Sequence, residues 1–286
     1  MAANSGRLAV ISTPIGNLGD LSPRAREELA AAELVAAEDT RRTGQLLTTL
    51  GLSRPLVSLH EHNESERIDE LLAKLRDGAR IALVSDAGTP LLSDPGFELV
   101  RRVAQEGIVV VAVPGPSAIT AALSIAGLPT ERFSFEGFLP ARLAERRARL
   151  AELAGEARTL VFFEAPHRIA ESLEDMNAAF GAERRAAVAR ELTKVFETVY
   201  RGTLASLAVQ ARGDSNFTRG EITVVVAGAV RAEPDNARAQ LDATLTVLLS
   251  ELAPSKAAAL AARLTGAKRN DAYARALELS GQSGRK

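Results

Sequence analysis

The sequence predicts an α/β protein built from two α/β domains. Short β-branched runs alternate with segments of helical periodicity, which is the signature of βαβ units and a mostly parallel sheet. The 286 residues leave room for two domains of about 150 residues each. Four loops rich in glycine and proline follow predicted strands, where open α/β sheets form their ligand crevices.

Five strands are predicted in the first half of the chain, each a short apolar run. They are Leu8–Ser12, Leu34–Ala37, Leu56–Leu59, Arg80–Ser85 and Ile108–Val113. The last of these runs is continuously apolar, so among the five it is the clearest prediction of a buried strand.

Capping residues place helices between these strands. Ser22-Pro23 provides an N-cap and a proline at the first helical position. Asn63 and Glu66 have the spacing of a capping box, and Asp94-Pro95 resembles a third capped start. The predicted helices cover about residues 22–32, 43–50, 63–76, 94–106 and 117–126.

Five further strands are predicted after the Pro114–Ser117 loop. They lie near Phe133–Phe135, Thr159–Phe163, Ala186–Arg190, Glu197–Gly202 and Glu221–Ala227, with helices over about residues 144–153, 168–180 and 204–211. A helix and a polar loop separate the last two strands, which permits an antiparallel edge in this half.

The composition becomes rich in alanine and leucine after about Arg231, where three helices are predicted over residues 238–252, 255–265 and 270–279. The two helices joined around Gly266 fit a helix-turn-helix unit, and they equally fit a helical cap on the second α/β domain. We therefore predict an N-terminal α/β domain over residues 1–116, a C-terminal α/β domain over 117–231 and a helical tail over 232–286.

The composition excludes several classes of protein. There is no cysteine, which excludes disulfides, thiolate catalysis and Cys-ligated zinc, and with only three histidines we predict no metal site. The 35 basic and 36 acidic residues argue against a polybasic nucleic-acid binder, although a local basic patch is still allowed. Neither a signal-peptide core nor a membrane-length apolar run is found, so we expect a cytoplasmic protein without a membrane partner.

The four strand-end loops are the first candidates for chemistry, although turns also contain glycine and proline for structural reasons. They are Thr13–Asp20, Asp86–Gly96, Pro114–Ser117 and Glu164–Arg168. Neither G-x-G-x-x-G nor the P-loop pattern occurs, which disfavours a Rossmann dehydrogenase, a standard Rossmann-type methyltransferase and a P-loop NTPase.

Two polar clusters follow the second and third predicted strands. Glu38–Arg42 and His60–Glu64 each fit a capped helix start, and each also fits a group that positions a substrate. His60 and His62 would share one face of a strand, but without cysteine or further histidine a zinc site is disfavoured.

A third polar cluster, Arg190–Lys194, follows a strand of the second half. A lysine at a strand end can bind phosphate or, when desolvated, act as a base. The structural alternative for Lys194 is an exposed salt bridge to Glu191 or Glu197.

Eight motifs, spread over nearly the whole chain, carry a family resemblance. They are residues 9–20, 36–41 (Ala-Ala-Glu-Asp-Thr-Arg), 60–64 (His-Glu-His-Asn-Glu), 84–96, 114–118 (Pro-Gly-Pro-Ser-Ala), 135–140 (Phe-Glu-Gly-Phe-Leu-Pro), 162–168 and 190–194 (Arg-Glu-Leu-Thr-Lys). In this order and spacing they resemble the tetrapyrrole methylase superfamily and, within it, the RsmI family of 16S rRNA ribose methyltransferases.

The resemblance implies two α/β/α domains that bind S-adenosyl-L-methionine (SAM) in the cleft between them, usually as a homodimer. It implies methyl transfer to the ribose 2′-oxygen of cytidine 1402, so the partner would be 16S rRNA or the 30S subunit. Carried over position by position, the cofactor-binding residues would be Pro14, Gly16, Asp86, Thr89, Ser117, Ala118, Phe163, Glu164, Ala165, Glu221 and Ile222.

Such a transfer needs a group near the ribose hydroxyl that accepts its proton. The candidates by motif position are Lys194, Asp39, Glu38, His60 and Glu191, with Lys194 and Asp39 ranked first. The candidate RNA contacts are Arg41, Arg142, Arg146, Arg147, Arg168 and Arg190. The family usually places a lysine after Phe-Leu-Pro, whereas Ala141-Arg142 stands here, and a solvated helix face is the structural alternative for this basic stretch.

Two other functions stay open. One is C-methylation of a tetrapyrrole in corrin or sirohaem synthesis, which would share the fold and the cofactor but not the motifs at 38–41 and 60–64. The other is an RNA-binding assembly factor of the ribosome with a vestigial cleft.

Overall fold

The computed structural model describes residues 6–60, 64–230 and 234–283. They form two compact units, residues 1–229 and residues 230–286. The first unit contains two five-stranded sheets with helices packed on them, and the second unit is helical. The predicted α/β class with a C-terminal helical segment is confirmed.

The first sheet is parallel throughout. Its strands are β1 (Arg7–Ile11), β2 (Leu34–Ala37), β3 (Leu56–Ser58), β4 (Arg80–Val84) and β5 (Val109–Val113), in the spatial order β3-β2-β4-β1-β5. After β1 the chain continues to β2, toward one edge of the sheet, and after the neighbouring β4 it continues to β5, at the other edge. The carboxyl ends of β1 and β4 therefore form a topological switch point, the usual place for a ligand crevice.

Helices connect these strands and cover both faces of the sheet with buried side chains. They are α1 (Pro23–Ala31), α2 (Thr40–Thr49), α3 (Glu64–Arg76) and α4 (Phe97–Gln105). The predicted cap of α1 is confirmed, because Ser22 accepts a hydrogen bond from the Ala25 N–H at 3.1 Å. The predicted capping box at Asn63 lies outside the described residues.

Two expectations for this half are wrong. The clearest prediction of a buried strand, β5, is an edge strand of the sheet, and only Val113 in it is buried. An edge strand pairs with only one neighbour. The apolar composition of β5 therefore reflects packing against its faces and not a position in the middle of the sheet. The helix expected to open at Asp94-Pro95 begins instead at Phe97, after a left-handed Gly96, which leaves the Asp94 side chain free of any capping role.

The second sheet is mixed. Its strands are β6 (Phe133–Phe138), β7 (Thr159–Glu164), β8 (Arg185–Arg190), β9 (Thr198–Thr203) and β10 (Ile222–Val226), in the order β6-β7-β10-β8-β9. Only β6 and β7 pair in parallel, while β10 pairs antiparallel with both of its neighbours and β9 forms an antiparallel edge. The expected antiparallel edge is confirmed, but the insertion of β10 between β7 and β8 was not predicted.

Three helices, α6 (Leu143–Leu153), α7 (Ile169–Phe180) and α8 (Leu204–Gly213), pack on one face of this second sheet. The other face is covered by α5 (Ala118–Ala126), which follows the last strand of the first sheet. Ile15, from the loop after β1, joins the same apolar cluster. The loops at the carboxyl ends of the first sheet are thereby held against the second sheet.

A buried ion pair joins α6 to α7. The Arg146 side chain is only 2% exposed, and its Nε donates to Asp175 Oδ2 at 2.7 Å. Arg147 donates to the other oxygen of Asp175 at 2.8 Å. Arg146 was expected to contact RNA. This expectation is wrong because its guanidinium is buried in an ion pair between two helices.

The helical unit consists of α9 (Pro234–Leu249), α10 (Pro254–Thr265) and α11 (Arg269–Ser283) around a small core of leucine and alanine. Gly266 ends α10 in the left-handed conformation that a C-cap requires. Within the described parts of the chain, no helix is long and apolar enough to span a bilayer.

Replacing Asp175 by alanine is expected to lower the free energy of unfolding by about 3–5 kcal/mol, because it leaves the buried Arg146 guanidinium without its main partner. Urea unfolding followed by circular dichroism measures this change. The matched control is Glu152→Ala, which removes an exposed partner of Arg149 and should change stability by less than about 1 kcal/mol. Equal effects of the two substitutions would contradict the assignment.

Candidate active site

The strand ends of the two sheets enclose a cavity of about 410 Å³ within the first unit. This volume lies in the range of small-molecule sites, which are usually clefts with an apolar lining and a few polar groups. Seven residues expected to bind the cofactor line it: Asp86, Ala118, Phe163, Glu164, Ala165, Glu221 and Ile222. The sequence motifs at these positions are thus brought together in space.

A second, shallower cavity of about 360 Å³ lies beside the first, and Ile15 lines both. Ser117, another expected cofactor residue, lines this second cavity together with Thr120 at the start of α5. Thr193, which has a left-handed backbone, lies on its far side.

The remaining three expected cofactor residues, Pro14, Gly16 and Thr89, line neither cavity. Thr89 instead ties the loops together, since its hydroxyl lies 2.9 Å from that of Ser12 and donates to the Pro116 carbonyl at 3.1 Å. A short antiparallel bridge between Thr13 and Gly88 joins the same loops. These contacts fix the shape of the crevice from behind.

Five acidic residues line the first cavity. Besides Glu164 and Glu221, they are Glu38 after β2, Asp86 after β4 and Asp94 in the following loop. Asp86 accepts a hydrogen bond from the Asp39 N–H at 2.9 Å and pairs with Arg42 at 3.2 Å. Burial, together with the nearby charge of Asp86, raises the pKa of Glu38. The cavity therefore concentrates negative charge that is only partly compensated.

Asp94 has the most perturbed of these carboxyl groups. Burial raises its pKa to about 6; the charges on Glu38 and Asp86 add to the shift, while a hydrogen bond with Ser85 opposes it. The loop that carries Asp94 is strained, because Leu91 and Ser93 both have φ near +70°. Strain of this kind is typical of functional sites, where neighbouring contacts hold a side chain in one position.

The candidate base Asp39 is fully engaged at the start of α2. Its carboxylate caps the helix by accepting from the Arg41 N–H at 2.8 Å and pairs with the Arg41 guanidinium. These hydrogen bonds from Arg41 hold the pKa of Asp39 well below its usual range. A carboxylate so stabilised is a poor proton acceptor, and it does not line the cavity.

Lys194 is held by two carboxylates, with its Nζ at 2.7 Å from Glu191 and 3.2 Å from Glu221. Burial alone would lower the pKa of Lys194, but these two carboxylates outweigh it and raise the pKa above its ordinary value. Its alkyl chain also covers Gly16, where an added Cβ would overlap it. Lys194 thus joins the loop after β1 to the second sheet through its charge and its alkyl chain, and it does not act as a neutral base.

The other two candidate bases also lie outside the cavity lining. Glu191 adopts φ +52° and accepts hydrogen bonds from Lys194 and from the Glu221 N–H. His60 lies two residues beyond the end of β3, and the expected strand face that it would share with His62 lies outside the described residues. Residues 61–63 lie outside those that the structure describes.

Comparison with known proteins identifies the family. A family model described as tetrapyrrole (corrin/porphyrin) methylases matches residues 7–208, and one described as the RsmI C-terminal HTH domain matches residues 235–280. Ribosomal RNA small subunit methyltransferase I of Pseudomonas aeruginosa is 52% identical over 281 residues, which cover 98% of this chain and 100% of that protein. The chain belongs to the ribosomal RNA small subunit methyltransferase I family.

Other members of the methyltransferase I family are also similar over nearly the whole chain. The protein of the same name from Xylella fastidiosa strain Temecula1 is 54% identical over 94% of this chain and 98% of its own length. The one from Escherichia coli O157:H7 is 48% identical over 97% of both chains. The similarity therefore spans both units of the molecule.

Solved structures show the same fold at low sequence identity. A uroporphyrin-III-C-methyltransferase from Thermus thermophilus gives a TM-score of 0.55 at 23% identity, covering 78% of this chain and 94% of that one. A cobalt precorrin-4 methyltransferase of cobalamin biosynthesis gives 0.56 at 17% identity, covering 79% and 96%. The methyltransferase I family thus shares its architecture with enzymes of tetrapyrrole metabolism.

Not all of the arginines expected to contact RNA are accessible in this member of the methyltransferase I family. Arg168 pairs with Glu164 at 2.5 Å and donates to the Leu139 carbonyl, and Arg190 is buried between the Arg219 and Phe196 carbonyls. For Arg190, as for Arg146, burial contradicts a surface role, whereas Arg168 is partly exposed. Three candidates remain exposed: Arg41, Arg142 and Arg147.

The site residues predicted from the sequence leave out several residues of the cavity, Asp94 and Arg42 among them. Asp94 belongs to the Asp86–Gly96 loop that was a candidate for chemistry, but by itself it was interpreted as a helix start. Arg42 belongs to the Glu38–Arg42 cluster, which fitted both a capped helix start and a group that positions a substrate, and it was not named as a contact; it lines the cavity and pairs with Asp86. In both cases the signal was a position beside a strand-end loop, and local capping rules offered a simpler explanation.

Proposed function

We propose that this chain uses SAM to methylate the ribose 2′-oxygen of cytidine 1402 in the 16S rRNA of the small ribosomal subunit. The observation that carries the proposal is the full-length similarity to proteins named ribosomal RNA small subunit methyltransferase I. The tetrapyrrole methyltransferases are similar only in fold, at 17–23% identity. This difference favours the RNA substrate over the tetrapyrrole alternative.

The chemistry of the cavity fits SAM. Its carboxylates, among them Asp86 and Asp94, suit a ligand that carries an ammonium and a sulfonium charge. Its apolar wall, with Phe163, Ala165 and Ile222, suits the adenine ring. When bound, SAM supplies a methyl group that is already activated for transfer, so the protein has to position the acceptor oxygen and remove its proton.

We assign the proton-accepting role to Glu38. Of the five candidate bases it is the one whose residue lines the cavity. Its raised pKa also makes its carboxylate a stronger proton acceptor than an ordinary glutamate. Asp86, whose carboxylate is engaged with Arg42 and the Asp39 N–H, would hold the end of α2 and so the position of Glu38.

We assign cofactor contacts to the expected cofactor residues that line the cavity and indirect roles to several others. Glu164 is buried and accepts hydrogen bonds from Arg168, Ser172 and the Ala165 N–H, so it shapes the end of β7. Pro14, Gly16 and Thr89 would act through loop shape. Ser117 would contact the part of the ligand that reaches the second cavity.

The RNA would be approached by exposed arginines at several places on the surface. Arg41 and Arg42 lie at the start of α2 beside the cavity, and Arg142 and Arg147 lie on α6 or at its start. Each is paired with a carboxylate, which a phosphate can replace. We further propose that the protein acts in the cytoplasm, where ribosomal subunits are, and as a homodimer.

The function predicts a specific change in ribosomal RNA. Primer extension at limiting dNTP across the decoding region should show a ribose-methylation stop at position 1402 in the parent strain and none in a deletion strain. Restoring this chain should restore the stop. An unchanged stop in the deletion strain would refute the proposed substrate, and failure of the purified protein to bind SAM would instead favour a non-enzymatic assembly factor.

Replacing Glu38 by glutamine should lower kcat for methyl transfer about 10²- to 10⁴-fold, an effect larger than the change in SAM affinity, because it removes a proton acceptor and keeps the shape. The wild-type kcat should rise with pH through the raised pKa of Glu38 and then level off. The matched control is Asp39→Asn, which lies one residue away outside the cavity. A larger loss of kcat in the control would contradict the assignment.

SAM affinity should depend on the ionisation of Asp94. Its pKa is about 6 in the free protein, so its carboxylate is charged above this pH and neutral below it. The affinity for a cationic ligand should therefore be full near pH 8 and fall as the pH drops through about 6. Calorimetry on wild type and Asp94→Asn tests this, since the variant should bind more weakly at pH 8 and lose most of the pH dependence. Exposed Asp77→Asn serves as the control, and an unaltered profile in Asp94→Asn would exclude the role.

A further inference from the structure

One aromatic side chain at the cavity is left exposed. Phe138, the last residue of β6, lines the cavity and is 55% exposed. Other residues of the cavity wall are less exposed: Glu164 and Ile222 are buried, and Phe163 is half-buried. A large apolar ring at the rim of a site carries a hydration cost that a bound partner would relieve.

The backbone of β6 is built to turn this ring toward the cavity. The pairing of β6 with β7 shifts register between Phe135 and Gly137, so a bulge precedes Phe138. Gly137 adopts φ +68°, which favours glycine, and an added Cβ there would lie 3.3 Å from Ser93 Oγ. Bulges commonly re-aim a side chain next to an active site.

Contacts with other aromatic rings also hold the Phe138 ring in place. The rings of Phe138 and Phe163 meet edge-to-face with their centroids 5.6 Å apart, and Phe135 meets Phe163 in the same way at 4.8 Å. Edge-to-face contact fixes the orientation of Phe138, which is still 55% exposed. A rigid, exposed ring is the feature that proteins use to stack unpaired nucleobases.

An exposed cation lines the same cavity. Arg42 lines the cavity with its side chain 66% exposed and is tethered there by Asp86. An accessible guanidinium beside an accessible ring matches a nucleotide, which offers a phosphate next to a base. SAM brings no phosphate and, as a small ligand, would be enclosed by the less exposed residues of the wall.

We propose that Phe138 is the platform on which the nucleobase of the target nucleotide stacks once it has left the RNA helix, with Arg42 holding the adjacent phosphate. This inference rests on the proposed function, since it assigns the RNA-facing side of the same cavity. A base held on this platform places its own ribose toward the interior, where Glu38 and the methyl donor meet. Removing a base from its stack has a free-energy cost, which a stacking surface offsets.

Steady-state kinetics with 30S subunits from a strain that lacks this methylation test the platform. Phe138→Leu keeps apolar volume but cannot stack, so kcat/KM for the subunit should fall roughly tenfold to a hundredfold. The SAM dissociation constant, measured by calorimetry, should stay within about twofold. Phe138→Tyr keeps the ring and should restore kcat/KM to nearly the wild-type value.

The matched control is Phe133→Leu, at the other end of the same strand. Phe133 is 43% exposed and does not line either cavity, so its loss should leave both measurements unchanged. Equal kinetics for the two leucine variants would overturn the proposal. So would weakened SAM binding in Phe138→Leu, which would assign the ring to the cofactor, or failure of the tyrosine to rescue.

Two further outcomes separate the possible errors. If sedimentation shows that Phe138→Leu alters the oligomeric state, the ring belongs to a contact between copies of the chain and the proposal fails. If wild-type protein does not methylate the subunit at all, the proposed function fails, whereas an active wild type with an unaffected Phe138→Leu variant refutes only the platform.

Discussion

The site depends on one apolar contact that joins the two sheets. Ile15, in the loop after β1, and helix α5 pack against the inner face of the second sheet, in a cluster with Val161, Ala187 and Val225. This contact brings the carboxyl ends of the first sheet over the ends of β7 and β10. The cavity between the two sheets exists only while they are held in this relative position. It is therefore a consequence of packing and not of any single motif.

The same geometry separates the charged residues into two groups. Acidic groups beside the cavity, such as Asp39 and Glu191, are neutralised by Arg41 and Lys194 and serve as caps and braces. Glu38 and Asp94 keep little compensation, and burial raises the pKa of each. A site that retains uncompensated carboxylates favours a cationic ligand, because binding supplies the missing charge.

The sequence predicted the elements well because strands, caps and turns are local features. The N-cap at Ser22 and the span of β2 were predicted as the structure has them. The fate of individual charged side chains was not predictable in the same way. Arg146 and Arg142 are four residues apart on one basic stretch, yet one is buried against Asp175 and the other exposed. Only the crossing of α6 with α7 decides between them, and that crossing is set by contacts distant in sequence.

The arrangement of the arginines also limits how the protein can recognise RNA. The exposed Arg41, Arg142 and Arg147 are each paired with a carboxylate, so exchanging that partner for a phosphate yields less binding free energy than a free cation would. On the proposed function, a surface of this kind would bind RNA weakly and without regard to sequence. Discrimination would then come from contacts that a generic helix cannot make, and a nucleotide that leaves its stack to reach the cavity rim is such a contact. Near-neutral net charge and the proposed stacking on Phe138 would therefore act together to favour one target nucleotide.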